Sequence, residues 1–116
     1  MDDKQLATQA SGQAGERLAR EFLEQQGLTF VQQNIKYKFG ELDLIMKQGE
    51  EWIFVEVKYR SSGRYGGAIN ALGNKQIQRL KRAAEHFIQL NHIDAICRFD
   101  LIAIDDDQIN WLQNAF

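Results

Sequence analysis

Two periods of apolar residues run along this chain, and each period predicts a different kind of element. Apolar residues spaced by three and four predict one helix from about Thr8 to Gln26 and a second from about Asn74 to Leu90. Alternating apolar and polar residues predict five strands, at Leu28–Ile35, Gly40–Lys47, Glu51–Tyr59, Cys97–Ile104 and Ile109–Leu112. The glycine-rich residues 61–74 predict a loop. The order αβββαββ predicts a mixed sheet with helices on its faces.

The same spacing predicts which residues face the core. On the first helix these are Ala14, Leu18 and Phe22, widened by Ala19 and Leu23, and on the second they are Ile77, Leu80, Ala84 and Phe87. Residues two apart on a strand share a face. One face of the second strand therefore holds Leu42, Leu44 and Met46, and the two faces of the third hold Ile53, Val55 and Val57 against Trp52, Phe54, Glu56 and Lys58. Asn74 is predicted to cap the second helix.

The composition is that of a soluble globular protein. With 116 residues, 44% of them apolar, residues 1–116 are expected to form one domain. The longest apolar runs are far shorter than the roughly 18–20 residues of a membrane-spanning helix, and the first residues do not resemble a secretory signal. Because Cys97 is the only cysteine, no disulfide can form within the chain. A reducing cytoplasm is the expected location.

Positive charge is concentrated in one stretch. The net charge is −2, yet the stretch from Lys58 to Arg82 holds seven basic residues and no acidic one. Such a stretch predicts a surface that binds the phosphates of nucleic acid. Its predicted phosphate-binding residues are Arg60 and Arg64, near two tyrosines, and Lys75, Arg79 and Arg82, which form one helical stripe. The alternative is a solvated charged helix and loop that bind no nucleic acid.

Charged residues interrupt two of the predicted strands. Asp43 lies between two leucines, and Glu56 and Lys58 flank a valine. Because burying an unpaired charge is costly, such acids are usually paired, neutralised or bound to a metal ion. Glu56 and Lys58 share a face of their strand. These three residues are therefore the candidate site of chemistry.

The predicted turn brings these residues together. Gly49-Glu50 suits a two-residue type II′ turn, which has glycine at its first central position. The resulting register places Asp43 opposite Glu56 and Glu41 opposite Lys58, so all four share one face. A divalent cation such as Mg²⁺ or Mn²⁺ would offset the repulsion between the two opposed acids. The prediction is a metal site at Asp43 and Glu56, with Lys58 assisting an attacking water; the alternative is a surface set of ion pairs.

Five stretches of the chain resemble the YraN family of bacterial proteins. They are Gly15–Ala19, Phe39–Ile45, Phe54–Ser61, Lys75-Gln76 and Arg98–Asp100. That family is grouped with the PD-(D/E)xK nuclease superfamily, near archaeal Holliday-junction resolvases. The resemblance implies a restriction-endonuclease-like αβββαβ core, in which helices flank a central mixed sheet. Leu42 stands where the superfamily motif has proline.

The resemblance also implies roles for individual residues. Asp43 and Glu56 match the two acids of the motif, and Lys58 matches its lysine. Glu16 matches an acid on the first helix that completes such sites, directly or through water. Gln76 matches a position on the second helix that can contact substrate or order the site. The implied function is a Mg²⁺- or Mn²⁺-dependent endonuclease that acts on nucleic acid. DNA is favoured as the substrate, branched DNA is left open, and paired sites are compatible with a homodimer.

Other interpretations stay open from the residues alone. The chain could be a nucleic-acid-binding module that keeps a nuclease scaffold without chemistry, or a domain whose basic face meets an acidic protein. An ion pair with Arg20, four residues further on, is the simpler explanation of Glu16. Arg98 and Asp100 share a strand face and are predicted to form a structural ion pair.

Overall fold

The chain folds into one five-stranded sheet with a helix on each face. The computed structural model describes residues 3–60, 73–106 and 108–116. The elements are α1 (Asp3–Gln25), β1 (Thr29–Tyr37), β2 (Gly40–Gln48), β3 (Glu51–Arg60), α2 (Asn74–Leu90), β4 (Cys97–Asp105) and β5 (Gln108–Leu112). All seven predicted elements are present, and α1 begins five residues earlier than predicted. Most of the predicted loop and residue 107 lie outside the described residues.

The sheet is mixed, as predicted. Its strand order is β1-β2-β3-β4-β5. The pairs β1–β2, β2–β3 and β4–β5 are antiparallel, whereas β3 and β4 are parallel. A parallel pair needs a long crossover connection, and α2 lies in the connection between β3 and β4. This architecture matches the restriction-endonuclease-like core that the resemblance implied.

The two helices cover separate halves of the core. Ala19 and Leu23 of α1 pack with one face of the sheet, which includes Ile53 and Val55 of β3. On the other face, four buried residues of α2 (Leu80, Ala83, Ala84 and Phe87) pack with Phe54 of β3. The alternation predicted for β3 is therefore confirmed. No helix in the described part of the chain is long and apolar enough to cross a bilayer.

The β2–β3 hairpin has the predicted register. Its paired positions run from Gln48 and Glu51 at the turn to Leu44 and Val55. Gly49 has φ 62°, and Glu50 does not share the positive φ, as a type II′ turn requires. The local chemistry of this turn thus determines which residues of the two strands lie opposite each other.

The prediction for the face of β2 was wrong at Leu42. Leu44 and Met46 pack on the α1 side, but Leu42 packs with Ile45 on the α2 side. Two residues three apart on a regular strand point to opposite faces, so the alternation slips between them. The pairing of β2 with β3 also stops at Leu44. The slip places Asp43 in an irregular segment where β2 and β3 separate.

Two predictions for the helices were also wrong. The buried line of α1 passes through Gly15, Ala19 and Leu23, whereas Leu18 is 42% exposed. Gly15 faces the sheet, where a Cβ would make ordinary van der Waals contact with Tyr59, 3.5 Å from its Cβ. At α2 the cap is Gly73, whose carbonyl oxygen accepts the first helical hydrogen bond from Ile77. Asn74 is already inside the helix, so its side chain does not cap it.

Candidate metal and nucleic-acid site

Asp43 and Glu56 converge where β2 and β3 separate. Both are buried, with 9% and 6% of their surface exposed. One carboxylate oxygen of Asp43, Oδ2, accepts a hydrogen bond of 2.9 Å from the backbone N–H of Val57. The carboxyl groups of Asp43 and Glu56 are also close enough to share a hydrogen bond. The predicted convergence is present, but side chains make the contact, because the paired backbone positions end at Leu44 and Val55.

This pair of acids does not hold two negative charges at neutral pH without a cation. Burial raises the pKa of Glu56 to about 9, and the hydrogen bond and negative charge of Asp43 add to the rise. The positive charge of Lys58 acts in the opposite direction. Two carboxyl groups in contact in a low-dielectric site retain a proton between them unless another cation replaces it.

Lys58 lies at the edge of this pair. Its Nζ is 4.0 Å from Oε1 of Glu56, and 18% of its side chain is exposed. At that distance the ammonium attracts the carboxyl group without a short hydrogen bond, so its donors stay available to a water or a phosphate oxygen. The extended register predicted Glu41 opposite Lys58, and this prediction was wrong. Glu41 is exposed and pairs across the sheet with Lys36 of β1.

Glu16 approaches the acids from α1. Burial raises its pKa to about 7, and the charge of Asp43 contributes to the rise. The alternative pairing with Arg20 is not formed, because Arg20 pairs with Glu24 at 3.4 Å. Within the described residues no three acidic, histidine or cysteine side chains are grouped closely enough to hold a metal ion. Glu16 is thus an electrostatic neighbour of Asp43.

The sequence interpretation missed Asn34, which lies between α1 and the irregular segment of β2. Its side chain hydrogen-bonds the carboxyl group of Glu16. Its φ of 55° is in the left-handed region, where asparagine is among the few residues tolerated. The neighbouring register of β1 and β2, Gln33 with Leu44 and Ile35 with Leu42, places Asn34 beside Asp43. An asparagine inside a predicted strand was the available signal.

A groove on the α2 side borders Glu56. It has a volume of about 530 Å³, and α2 contributes Lys75, Gln76 and Arg79 to its wall. The structure thus brings three of the predicted nucleic-acid-binding residues together with one predicted metal ligand. It also adds Lys36 and Tyr37 of β1, which the sequence interpretation missed because the end of β1 was placed two residues too early.

Of the remaining predicted phosphate-binding residues, Arg82 is the one whose side chain the structure describes. The guanidinium of Arg82 lies over the ring of Phe39, 5.3 Å from its centroid. Arg60 is the last residue of β3, and Arg64 is outside the described residues. Arg98 and Asp100 form the predicted structural ion pair, with Nε 3.0 Å from Oδ1.

The donor atoms of Asp43 and Glu56 fit a Mg²⁺ ion. Mg²⁺ prefers oxygen ligands and is usually held by one or two carboxylates, with water and substrate phosphate completing its shell. The backbone of Val57 engages only Oδ2 of Asp43, which leaves Oδ1 and the Glu56 carboxylate as ligands. Replacement of the shared proton by the cation would remove the repulsion between the two acids.

Comparison with known proteins places the chain among close relatives. The model of a family described as "Uncharacterised protein family UPF0102" matches residues 15–104. A UPF0102 protein of Shewanella sediminis is 65% identical over 116 residues, covering 100% of this chain and 99% of the relative. A second, of Shewanella woodyi, is 63% identical over the same length and coverage. These matches include both strands of the candidate site, and they agree with the resemblance noted in the motifs.

Proposed function

This chain belongs to the UPF0102 family, the YraN family that its motifs resemble, and we propose that it is a divalent-metal-dependent endonuclease. Its substrate is nucleic acid, with DNA first, and its reaction is hydrolysis of a phosphodiester bond. The observation that carries the proposal is the pair of buried, interacting acids, Asp43 and Glu56, beside Lys58, with Glu56 at the wall of a groove that also holds Lys75 and Arg79.

The arrangement suits this chemistry because charge of each sign is where the reaction needs it. A phosphodiester is an anion, so cations from α2 attract it into the groove. Asp43 and Glu56 would hold Mg²⁺ or Mn²⁺, which, when bound, lowers the pKa of a bound water and stabilises charge on the phosphate oxygens. Among the described residues, the ion pair of this site is that of Lys58 with Glu56, at 4.0 Å.

The other residues act through positions already described. The ammonium of Lys58 donates hydrogen bonds to the attacking water or to a phosphate oxygen as negative charge develops there. Glu16 and Asn34 hold each other next to Asp43 and limit the movement of its carboxylate. Gln76 supplies an amide that can contact the substrate in the groove.

The experiment combines metal binding with cleavage. Metal-free protein is titrated with Mn²⁺ while its melting temperature is followed, and labelled DNA of several forms is then incubated with Mg²⁺ or Mn²⁺. At 100 times the dissociation constant a ligand stabilises by about 2.7 kcal/mol, which is a shift of several degrees in a domain of this size. Wild type should show the shift and cleave only when metal is present.

The variants Asp43→Asn and Glu56→Gln should lose both the thermal shift and the cleavage. Glu50→Gln is the matched control, because Glu50 is an exposed acid in the turn of the same hairpin, and it should behave as wild type. Cleavage by Asp43→Asn at the wild-type rate would contradict the proposal.

A non-catalytic nucleic-acid-binding module is the second candidate. The observation that favours it is that the described residues form no metal-binding group of three acidic, histidine or cysteine side chains, while Lys75 and Arg79 line the groove independently of the acids. This function requires binding in EDTA that weakens with salt, with no cleavage under any metal. Arg79→Ala should then lower the salt slope by about one.

Location and assembly complete the proposal. A chain with one cysteine needs no oxidising compartment to fold, and we assign its activity to the cytoplasm. A homodimer would present two sites to one nucleic acid, and light scattering at micromolar concentration distinguishes it from a monomer.

A further inference from the structure

The groove beside Glu56 has an aromatic wall as well as cationic ones. Tyr37 lines it from the end of β1, and Lys75 and Arg79 line it from α2. Its volume of about 530 Å³ lies within the range of roughly 300–1,000 Å³ that is typical of pockets for small ligands. The groove therefore has room for one nucleotide unit next to Glu56, one of the two candidate metal ligands.

The ring of Tyr37 is held in place by its neighbours. Phe39 stacks on it, with centroids 5.6 Å apart and planes 20° apart, and His86 of α2 meets it edge-on at 4.7 Å. Arg82 in turn lies over Phe39. Because these contacts exist without a ligand, the ring loses little conformational freedom when one binds, which favours affinity.

The backbone fixes the distance between the ring and the cations. Gly40 is paired with Tyr37 across the β1–β2 hairpin, and a Cβ at position 40 would collide with the backbone carbonyl oxygen of Arg79. Only glycine lets the hairpin approach α2 this closely. The backbone of Arg79 thus contacts Gly40, the residue paired with Tyr37. This contact holds Tyr37 and Arg79 on two walls of one groove.

Rings and cations along one groove are the combination that binds single-stranded nucleic acid. Bases stack on aromatic side chains, and Lys or Arg residues follow the phosphates. Lys36, Lys75 and Arg79 provide three cations around Tyr37. In a regular duplex both faces of each base are covered by its neighbours, so only an unpaired or extruded base can stack on a protein ring.

We propose that Tyr37 is the stacking surface for one unpaired base, whose adjacent phosphates bind Lys75 and Arg79. The inference rests on the proposed action on nucleic acid and adds a substrate class to it: strands that contain an unpaired nucleotide next to the bond that is cut. Tyr37 acts as a specificity-determining residue, and the metal-binding acids are not needed for this contact.

The first test leaves the protein unchanged and alters the ligand. Fluorescence anisotropy in EDTA measures binding of three labelled oligonucleotides of equal length: a thymidine strand, a strand with the same phosphates but abasic sugars, and a duplex. Stacking on an aromatic ring is worth about 1–3 kcal/mol per base, which is roughly a 5- to 150-fold change in affinity. The thymidine strand should bind more tightly than the abasic strand by a factor in that range. Equal affinities would overturn the stacking role.

The second test alters the ring. Tyr37→Leu should lower affinity for the thymidine strand by the same factor and leave the abasic strand and the duplex unchanged, whereas Tyr37→Phe, which keeps the ring, should stay within about twofold of wild type. An equal loss for all three ligands would assign Tyr37 to folding alone and overturn the proposal. The melting temperatures of both variants check that the fold is intact.

The two proposals fail in different ways. If wild type binds none of the three oligonucleotides, the nucleic-acid function itself is wrong. If wild type binds all three equally, only the stacking role is wrong. A uridine ribonucleotide strand measured in parallel distinguishes DNA from RNA as the source of the unpaired base. If wild type binds the thymidine strand or the uridine strand more tightly than Tyr37→Leu does, the stacking role is supported.

Discussion

A pair of buried acids, Asp43 and Glu56, and a single buried acid, Asp100, lie on neighbouring strands of this sheet. They differ in how many hydrogen-bond donors surround them. Asp100 of β4 is paired in register with Val55, the residue before Glu56 of β3. Asp100 is fully buried, and both of its oxygens accept hydrogen bonds. The donors are Nε and Nη2 of Arg98 at 3.0 and 3.2 Å, Nε1 of Trp111 at 2.8 Å and the backbone N–H of Asn114 at 2.9 Å.

Asp43 and Glu56 have far fewer donors than Asp100. Among the described residues, one backbone N–H reaches Asp43 at 2.9 Å and one ammonium lies 4.0 Å from Glu56, and the two acids also interact with each other. A buried charge is stable when hydrogen bonds and an opposite charge compensate its lost hydration. The sheet therefore contains one acid that the described residues compensate with hydrogen bonds and an opposite charge, and a pair that they compensate far less. This is the pattern expected of a structural acid and of a binding site.

The largest expected effect is at the structural acid. Asp100→Asn removes the fully buried carboxylate that pairs with the guanidinium of Arg98 and turns an amide group toward the N–H donors of Trp111 and Asn114. Breaking a buried ion pair by removing one partner costs about 3–5 kcal/mol of unfolding free energy. Urea denaturation measures the loss. Asp94→Asn, at an exposed acid, is the control and should change stability by less than about 0.5 kcal/mol.

At the candidate site, a substitution is expected to raise the free energy of unfolding instead of lowering it. The pKa of Glu56 is raised from 4.5 to about 9 on folding, so the folded state keeps a proton that the unfolded state releases. The associated stability is complete below pH 4.5 and is lost progressively as the pH rises toward 9. Glu56→Gln removes this loss and should stabilise the protein at pH 7 by on the order of 2 kcal/mol.

Urea denaturation at pH 5, 7 and 8.5 checks the sign at Glu56. The stability difference between Glu56→Gln and wild type should grow with pH, while Glu50→Gln shows no such trend. A destabilised Glu56→Gln variant at pH 8.5 would mean that Glu56 is a structural acid like Asp100, and the contrast between the two sites would disappear.

The smallest expected loss of stability comes from removing one hydrogen-bond donor of Asp100. Trp111→Phe keeps an aromatic ring against Phe22, whose centroid is 6.1 Å away, but removes the N–H that bonds Asp100. A hydrogen bond to a charged group contributes about 1.5–3 kcal/mol. Because two other residues still bond Asp100, the loss in urea denaturation should fall near about 1 kcal/mol. A loss as large as that of Asp100→Asn would show that the remaining donors do not compensate.

Much of the fold followed from patterns that extend over a few residues. The alternation of β3 assigned Glu56 and Phe54 to one face, and the Gly49-Glu50 turn predicted the register of the hairpin, because both depend on local backbone geometry. The Arg98–Asp100 pair was predictable for the same reason, as residues two apart on one strand. The faces of α1 and of Leu42 were not predictable in this way, since they depend on how the helix packs on the sheet and on where a strand becomes irregular.

The features of the candidate site also divide into those that the sequence predicted and those that it did not. The residue types and their order along the chain determined that Asp43, Glu56 and Lys58 would meet on one hairpin, and that the basic stretch would follow them. Only the tertiary structure decided that Asn34 and Glu16 flank Asp43, and that Lys36 and Tyr37 face α2 across a groove. The physical reason is that periodicity and turn chemistry act between neighbours in the chain, whereas contacts between α1, β1 and α2 join residues far apart in sequence and depend on how the whole core packs.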